Sequence, residues 1–229
     1  MFTGLTCVRF SAYSTVIKAC IFDLDGVIVD TAKFHYLAWK RLAHELGFDF
    51  SEHDNEQLKG ISRMESLDIL LRIGKVTADE KARHLMADRK NGWFVDYINA
   101  MKPDEIFPGA KELLQQLRSK GYKVGLASSS KNAGTVLDRL GIANLFDCVV
   151  DGRMIKNSKP DPEVFLLAAA KLNMPPANCV VFEDAEAGVE AAINAGMKSV
   201  GIGSPTILGK ANLVIPRTGD FRIEQLNSL

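Results

Sequence analysis

Short, almost wholly apolar runs recur along this chain with a helical stretch between most of them, and that alternation leaves few folds open. The runs lie at residues 16–22, 122–127, 146–150, 179–182 and 199–202. Each is too short for a helix and lacks the polar alternation of a strand with one wet face, so each reads as a strand buried on both faces. Residues 110–120, 132–140, 162–172 and 185–195 carry helical stretches, with Gly121, Gly141 and Gly196 as C-terminal stops on three of them. Such an order requires a parallel sheet covered by helices on both sides, an α/β, Rossmann-like core.

Residues 31–101 break the pattern. Phe34, Leu37, Ala38, Arg41, Leu42 and Leu46, then residues 67–71 and 82–98, follow helical periodicity without a convincing strand. Pro103 and Phe107-Pro108-Gly109 mark the return. The expected organisation is an all-helical cap domain, 31–101, inserted into an α/β core made of 16–30 and 102–229. A last short strand is expected near 212–216. With 229 residues and 47% apolar side chains, one core plus such an insertion is affordable. Residues 1–15 hold a single charge, Arg9, and read as a disordered extension or the product of an early start; a signal-like segment would need the basic and apolar regions they lack.

Charge and cysteine usage narrow the partners. The 28 basic and 28 acidic side chains cancel, and no run of one sign suggests nucleic acid or an anionic membrane, which leaves a small molecule. No apolar run reaches the roughly 18 residues of a membrane span. Cys7, Cys20, Cys148 and Cys179 are scattered without CxxC spacing, as expected in a reducing cytoplasm.

The chemistry gathers at strand ends. Asp23-Leu24-Asp25-Gly26 puts two carboxylates on one side at the carboxyl edge of a strand, where open α/β sheets bind ligands. Two anions this close call for a hard divalent cation or a shared proton. Taken alone, a DxD triplet is more often a solvated turn. Glu183-Asp184 closes another strand, and alone it reads equally well as a helix cap. Ser128-Ser129-Ser130-Lys131-Asn132 offers hydroxyls and backbone N–H groups at a helix start, suited to a phosphate, though serine-rich loops are often plain turns. Lys159-Pro160-Asp161-Pro162 sets an ammonium before a helix; most such lysines are at the surface.

The conjunction is more specific than its parts. It resembles the haloacid dehalogenase superfamily, whose four motifs occur here in order: residues 23–27, Ser128, Lys159 with its proline, and Glu183-Asp184. The resemblance implies a nucleophile at Asp23, which becomes a phosphoaspartate, and a general acid and base at Asp25. It implies that Ser128 and Lys159 hold the phosphoryl oxygens, and that Mg²⁺ is bound by Asp23, the Asp25 carbonyl, Glu183 and Asp184.

The cap resembles that of the superfamily's sugar-phosphate mutases, through Asp30-Thr31-Ala32, His35, Trp39, residues 55–63, Ser66 and Arg89-Lys90-Asn91. That likeness implies substrate contacts from Thr31, His35, Trp39, Lys59, Gly60, Ile61, Arg63, Ser66 and Lys90, joined by Ser129, Ser130, Lys131 and Asn132 of the core. The implied reaction interconverts β-D-glucose 1-phosphate and glucose 6-phosphate through β-glucose 1,6-bisphosphate, in a monomer. A sugar-phosphate phosphatase, with water as acceptor, stays open beside it, as does a catalytically idle sugar-phosphate-binding protein.

Overall fold

The computed structural model describes residues 16–58 and 61–229. The expected N-terminal extension, 1–15, and two expected substrate contacts, Lys59 and Gly60, lie outside the described residues.

Among the described residues six strands form one sheet: β1 Ala19–Phe22, β2 Lys123–Ala127, β3 Cys148–Val150, β4 Cys179–Glu183, β5 Lys198–Ile202 and β6 Leu213–Ile215. Their order is β3-β2-β1-β4-β5-β6, and every neighbouring pair is parallel. This is the doubly wound arrangement the alternating runs require, with the strand order reversing at β1. The late strand expected near 212–216 is present as β6. In register, Phe22 lies beside Leu126 on one side and Phe182 on the other, with the Phe22 and Phe182 rings stacked at 4.3 Å. The residues that follow these strands, Asp23 and Glu183-Asp184 among them, therefore emerge together at the switch point.

The strands alternate their side chains between two cores. Cys20, Phe22, Val124 and Leu126 pack with helices α5 Ala110–Ser119 and α6 Ala133–Leu140, through Leu113, Leu114, Leu117, Val136 and Leu137. On the opposite face Ala19, Ile21 and Val181 meet α7 Glu163–Lys171 and α8 Glu186–Asn194, through Val164, Phe165, Ala168, Ala191 and Ala192. Gly121, Gly141 and Gly196 take positive φ at the three expected helix stops. A short helix, α9 Pro205–Leu208, and the last strand complete the sheet edge.

Between β1 and α5, among the described residues, lie four α-helices: α1 Ala32–Glu45, α2 Glu52–Glu56, α3 Arg63–Ile73 and α4 Glu80–Asn99. They bury a core of their own, in which Trp39, Leu42, Phe50, Leu67, Leu70 and Ala87 converge. Two of their starts are fixed by capping boxes. Ser62 Oγ accepts from the Glu65 N–H at 3.3 Å while Glu65 Oε2 accepts from the Ser62 N–H at 3.0 Å, and Ser51 with Asp54 does the same for α2. The chain leaves and re-enters the sheet layer through paired segments, with Phe107 N–H donating to Ile28 O at 2.9 Å and an antiparallel bridge between Val29 and Ile106.

Candidate active site

The carboxyl edge of β1 delivers Asp23 into a buried, fully bonded setting. One carboxylate oxygen, Oδ1, accepts from Lys159 Nζ at 2.6 Å, and the other, Oδ2, from the Asp25 backbone N–H at 2.9 Å. The same ammonium donates to Glu183 Oε2 at 2.8 Å, and Glu183 Oε1 accepts from the Ala185 N–H. Lys159 is thus no surface lysine: it is 1% exposed and bridges two carboxylates from different strand ends. Burial works against its charge, but Asp23 and then Glu183 outweigh that and hold its pKa above the usual lysine range.

The sequence makes room for this cluster with two missing side chains. A Cβ on Gly26 would stand 2.1 Å from Asp184 Oδ2, and one on Gly188 would stand 2.0 Å from Glu183 Cδ. Gly26 also carries φ +79, which suits glycine in the turn after Asp25. The result is that Asp23, Glu183 and Asp184 each bring a carboxylate oxygen within 4.8 Å of the others. An all-oxygen, multiply anionic set of this kind fits a hard divalent cation. Among the described residues Lys159 is the cation seen bridging it.

Asp25 has a different environment. Its Oδ1 is buried without a partner, and burial first, then the neighbouring Asp23 charge, push its carboxyl up to about 7, against weaker pulls from Lys159 and Lys90. A carboxyl poised there can both give and take a proton near neutral pH. Facing it from α1 and α4 are His35 and Lys90, with Lys90 Nζ 2.8 Å from His35 Nδ1. Burial and then Arg63 lower Lys90 well below the usual lysine range, and burial followed by Lys90 does the same to His35. Lys90 Nζ also lies 4.5 Å from the centre of the Trp39 ring, so its apolar surroundings are aromatic.

A cavity of about 400 Å³ opens between the helical layer and the strand ends. Asp23, Asp25, Asp184, His35, Trp39, Ile61, Arg63, Ser66 and Lys90 line it, with Ser129, Ser130, Lys131 and Asn132 across from them. Four expected residues lie behind that wall instead. Ser128 is fully buried, its Oγ accepting from the Ser130 N–H at 3.1 Å, and Lys159 and Glu183 are buried beneath Asp23. Thr31 is also fully buried, with its hydroxyl unpartnered. The loop beyond Ser128 is organised by its own hydroxyls, as Ser130 Oγ accepts from the Asn132 N–H. The cavity also takes in His84 and Asp88, to which sequence reasoning did not point, and Asn91, which entered only as part of the cap likeness and without a role. Their i, i+4, i+7 spacing on α4 was the available sign that one helix face is wet.

Comparison with known proteins agrees with this arrangement. The family model described as haloacid dehalogenase-like hydrolase matches residues 17–196. Beta-phosphoglucomutase of Bacillus subtilis is 45% identical over 214 residues, covering 92% of this chain and 94% of that protein. A crystal structure of beta-phosphoglucomutase from Clostridium difficile superposes with a TM-score of 0.89 at 47% identity, covering 93% of this chain and 96% of that one. Phosphorylated carbohydrates phosphatase of Thermotoga maritima is 34% identical over 186 residues, 80% of this chain and 83% of that protein.

Proposed function

This chain belongs to the haloacid dehalogenase-like hydrolase family, and from that membership we propose that it is a phosphomutase interconverting β-D-glucose 1-phosphate and D-glucose 6-phosphate. The observation that carries the reading is its 45% identity, over nearly the full length of both chains, to a beta-phosphoglucomutase, against 34% to a phosphatase of phosphorylated carbohydrates.

Asp23 serves as the nucleophile. Its carboxylate is oriented by two hydrogen bonds, one of them charge-assisted, so it meets phosphorus without first losing rotational freedom. As an Asp23 oxygen bonds to phosphorus, the bond from phosphorus to the sugar oxygen breaks, and Asp25 supplies the proton that oxygen needs. In the other half-reaction a sugar hydroxyl attacks the phosphoaspartate while Asp25 removes its proton, restoring Asp23. A carboxyl raised to about 7 serves both directions. Lys159 stays charged beneath Asp23 and offsets negative charge on the moving phosphoryl group. Ser128, fully buried, orders the loop after it through its Oγ, and Arg63, with Ser130, Lys131 and Asn132 of that loop, takes the second phosphate of the bisphosphate.

Asp23, Glu183 and Asp184, with the Asp25 carbonyl, would hold Mg²⁺, which supplies charge neutralisation at the phosphoryl oxygens. β-Glucose 1,6-bisphosphate is the intermediate and activator, and it must turn over between transfers. His35 and Lys90 stand as a hydrogen-bonded pair beside Asp25, while Trp39, Ile61 and Ser66 close the sugar off from water. Our reading is of a cytoplasmic monomer acting on a small sugar phosphate. Incubation with β-glucose 1-phosphate, Mg²⁺ and a trace of glucose 1,6-bisphosphate should give glucose 6-phosphate faster than inorganic phosphate. Inorganic phosphate as the main product would assign the chain to the phosphatases instead.

A further inference from the structure

Asn91 has no role in the chemistry above, yet it stands where the helical layer meets the sheet. Its Oδ1 accepts two hydrogen bonds, from Arg63 Nη2 at 2.8 Å and from Asn132 Nδ2 at 2.8 Å. Arg63 opens α3 in the helical layer, whereas Asn132 stands at the start of α6 on the sheet side. The orientation of both amides follows from donor chemistry. A guanidinium has only N–H groups, so Asn91 must turn its oxygen toward Arg63; Asn132 must then present its nitrogen to that same oxygen. Two lone pairs accept two donors from opposite walls of one cavity.

Among the described residues Arg139 Nη2 of α6 also donates to Asn99 Oδ1 at the end of α4, at 3.0 Å. Glu65, in the first turn of α3, is engaged by its capping partner Ser62. The other acidic neighbour of Arg63, Asp88, lies at 3.7 Å with its side chain 78% exposed, and is a weak competitor for the guanidinium.

We propose that Asn91 is a positioning residue whose carbonyl oxygen occupies the acceptor place of a phosphate oxygen, drawing Arg63 and Asn132 to one point and latching the helical layer onto the sheet. The idea rests on the reading of Arg63 and Asn132 as the grip for the substrate's second phosphate. A neutral amide oxygen is a weaker acceptor than a phosphate dianion, so the latch yields to substrate while leaving both donors already converged. A carboxylate in its place would hold Arg63 too well and repel the incoming phosphate.

That distinction sets the test. Asn91→Ala removes the acceptor from a half-buried helix position where alanine favours the helix, so the fold is kept. Its KM for β-glucose 1-phosphate should rise about tenfold, because the phosphate must then order two side chains that the latch had held converged beforehand, with kcat within about twofold. Asn91→Asp should raise KM further. Small-angle scattering without substrate should show Asn91→Ala expanded relative to the parent and Asn91→Asp as compact as the parent. Unchanged KM in Asn91→Ala, a loss in kcat alone, or the same scattering from all three proteins would overturn the latch. Scattering counts no product, so the latch is judged even if the chain proves to release phosphate; failure to isomerise with the expected scattering would count against the functional reading alone.

Discussion

Replacing Lys159 with methionine should destabilise the metal-free protein strongly, and a divalent cation should give back part of the loss. The ammonium sits 2.6 Å from Asp23 Oδ1 and 2.8 Å from Glu183 Oε2, and the three residues are 1%, 5% and 0% exposed. Methionine keeps the length of the side chain and removes the charge, leaving two buried carboxylates beside a third at Asp184. Removing one partner of a buried ion pair costs about 3–5 kcal/mol. For a chain of this size each kcal/mol moves Tm by about 2–4 °C, so the fall is roughly 6–20 °C. Mg²⁺ neutralises the same carboxylates, and at a concentration of about 100 times its Kd contributes ~2.7 kcal/mol. The variant should therefore gain more from Mg²⁺ than the parent does. Calorimetry in EDTA and again in MgCl₂, at matched ionic strength, measures both. A loss below ~1 kcal/mol, or a variant no more responsive to Mg²⁺ than the parent, would refute the idea that Lys159 neutralises this cluster.

Other outcomes follow from the same geometry. The Asp25 carboxyl rises from 3.8 to about 7 on folding, chiefly by burial, so the folded protein binds that proton more tightly than the unfolded chain. Its contribution is then complete below pH 3.8 and lost as pH climbs through 7; in EDTA, the stability of Asp25→Asn should fall less steeply over that window than the parent's, and equal slopes would contradict the assignment. Asp23→Asn should lower turnover by about 10⁴-fold or more while losing less stability than Lys159→Met, since Lys159 keeps Glu183 as a charged partner, measured by coupled assay and calorimetry. Gly188→Ala would put a methyl 2.0 Å from Glu183 Cδ, so the Mg²⁺ concentration for half-maximal activity should rise about 10–100-fold; an unchanged requirement would remove Glu183 from the metal set.

Much of the scaffold was legible because buried parallel strands leave near-continuous apolar runs and glycine ends helices audibly, as at Gly121, Gly141 and Gly196. The nucleophile and the acidic pair were legible as strand-end carboxylates. What they do together was not, because it depends on approach across the fold: Lys159 meets Asp23 over 136 residues and Glu183 over 24. The short helix α2 escaped notice although Ser51-Glu52-His53-Asp54 carries a capping pattern, and Ser62 to Glu65 carries another at the start of α3. On α4 the wet stripe through His84, Asp88 and Asn91 was obscured because the opposite face packs against the lid core and Trp93 lies between two arginines, so polarity is spread around the helix. Thr31 shows what a motif leaves out: likeness gives the position, while the burial of its unpartnered hydroxyl depends on the packing around it.

Trapping the phosphorylated protein tests the proposed chemistry most directly. Protein mixed with β-glucose 1,6-bisphosphate and Mg²⁺, quenched in acid within milliseconds and digested, should carry one acid-stable, base-labile phosphoryl group on the peptide holding Asp23, and that group should pass to added glucose 6-phosphate or β-glucose 1-phosphate faster than to water. A phosphoryl group on any other residue, or turnover with none on Asp23, would contradict it.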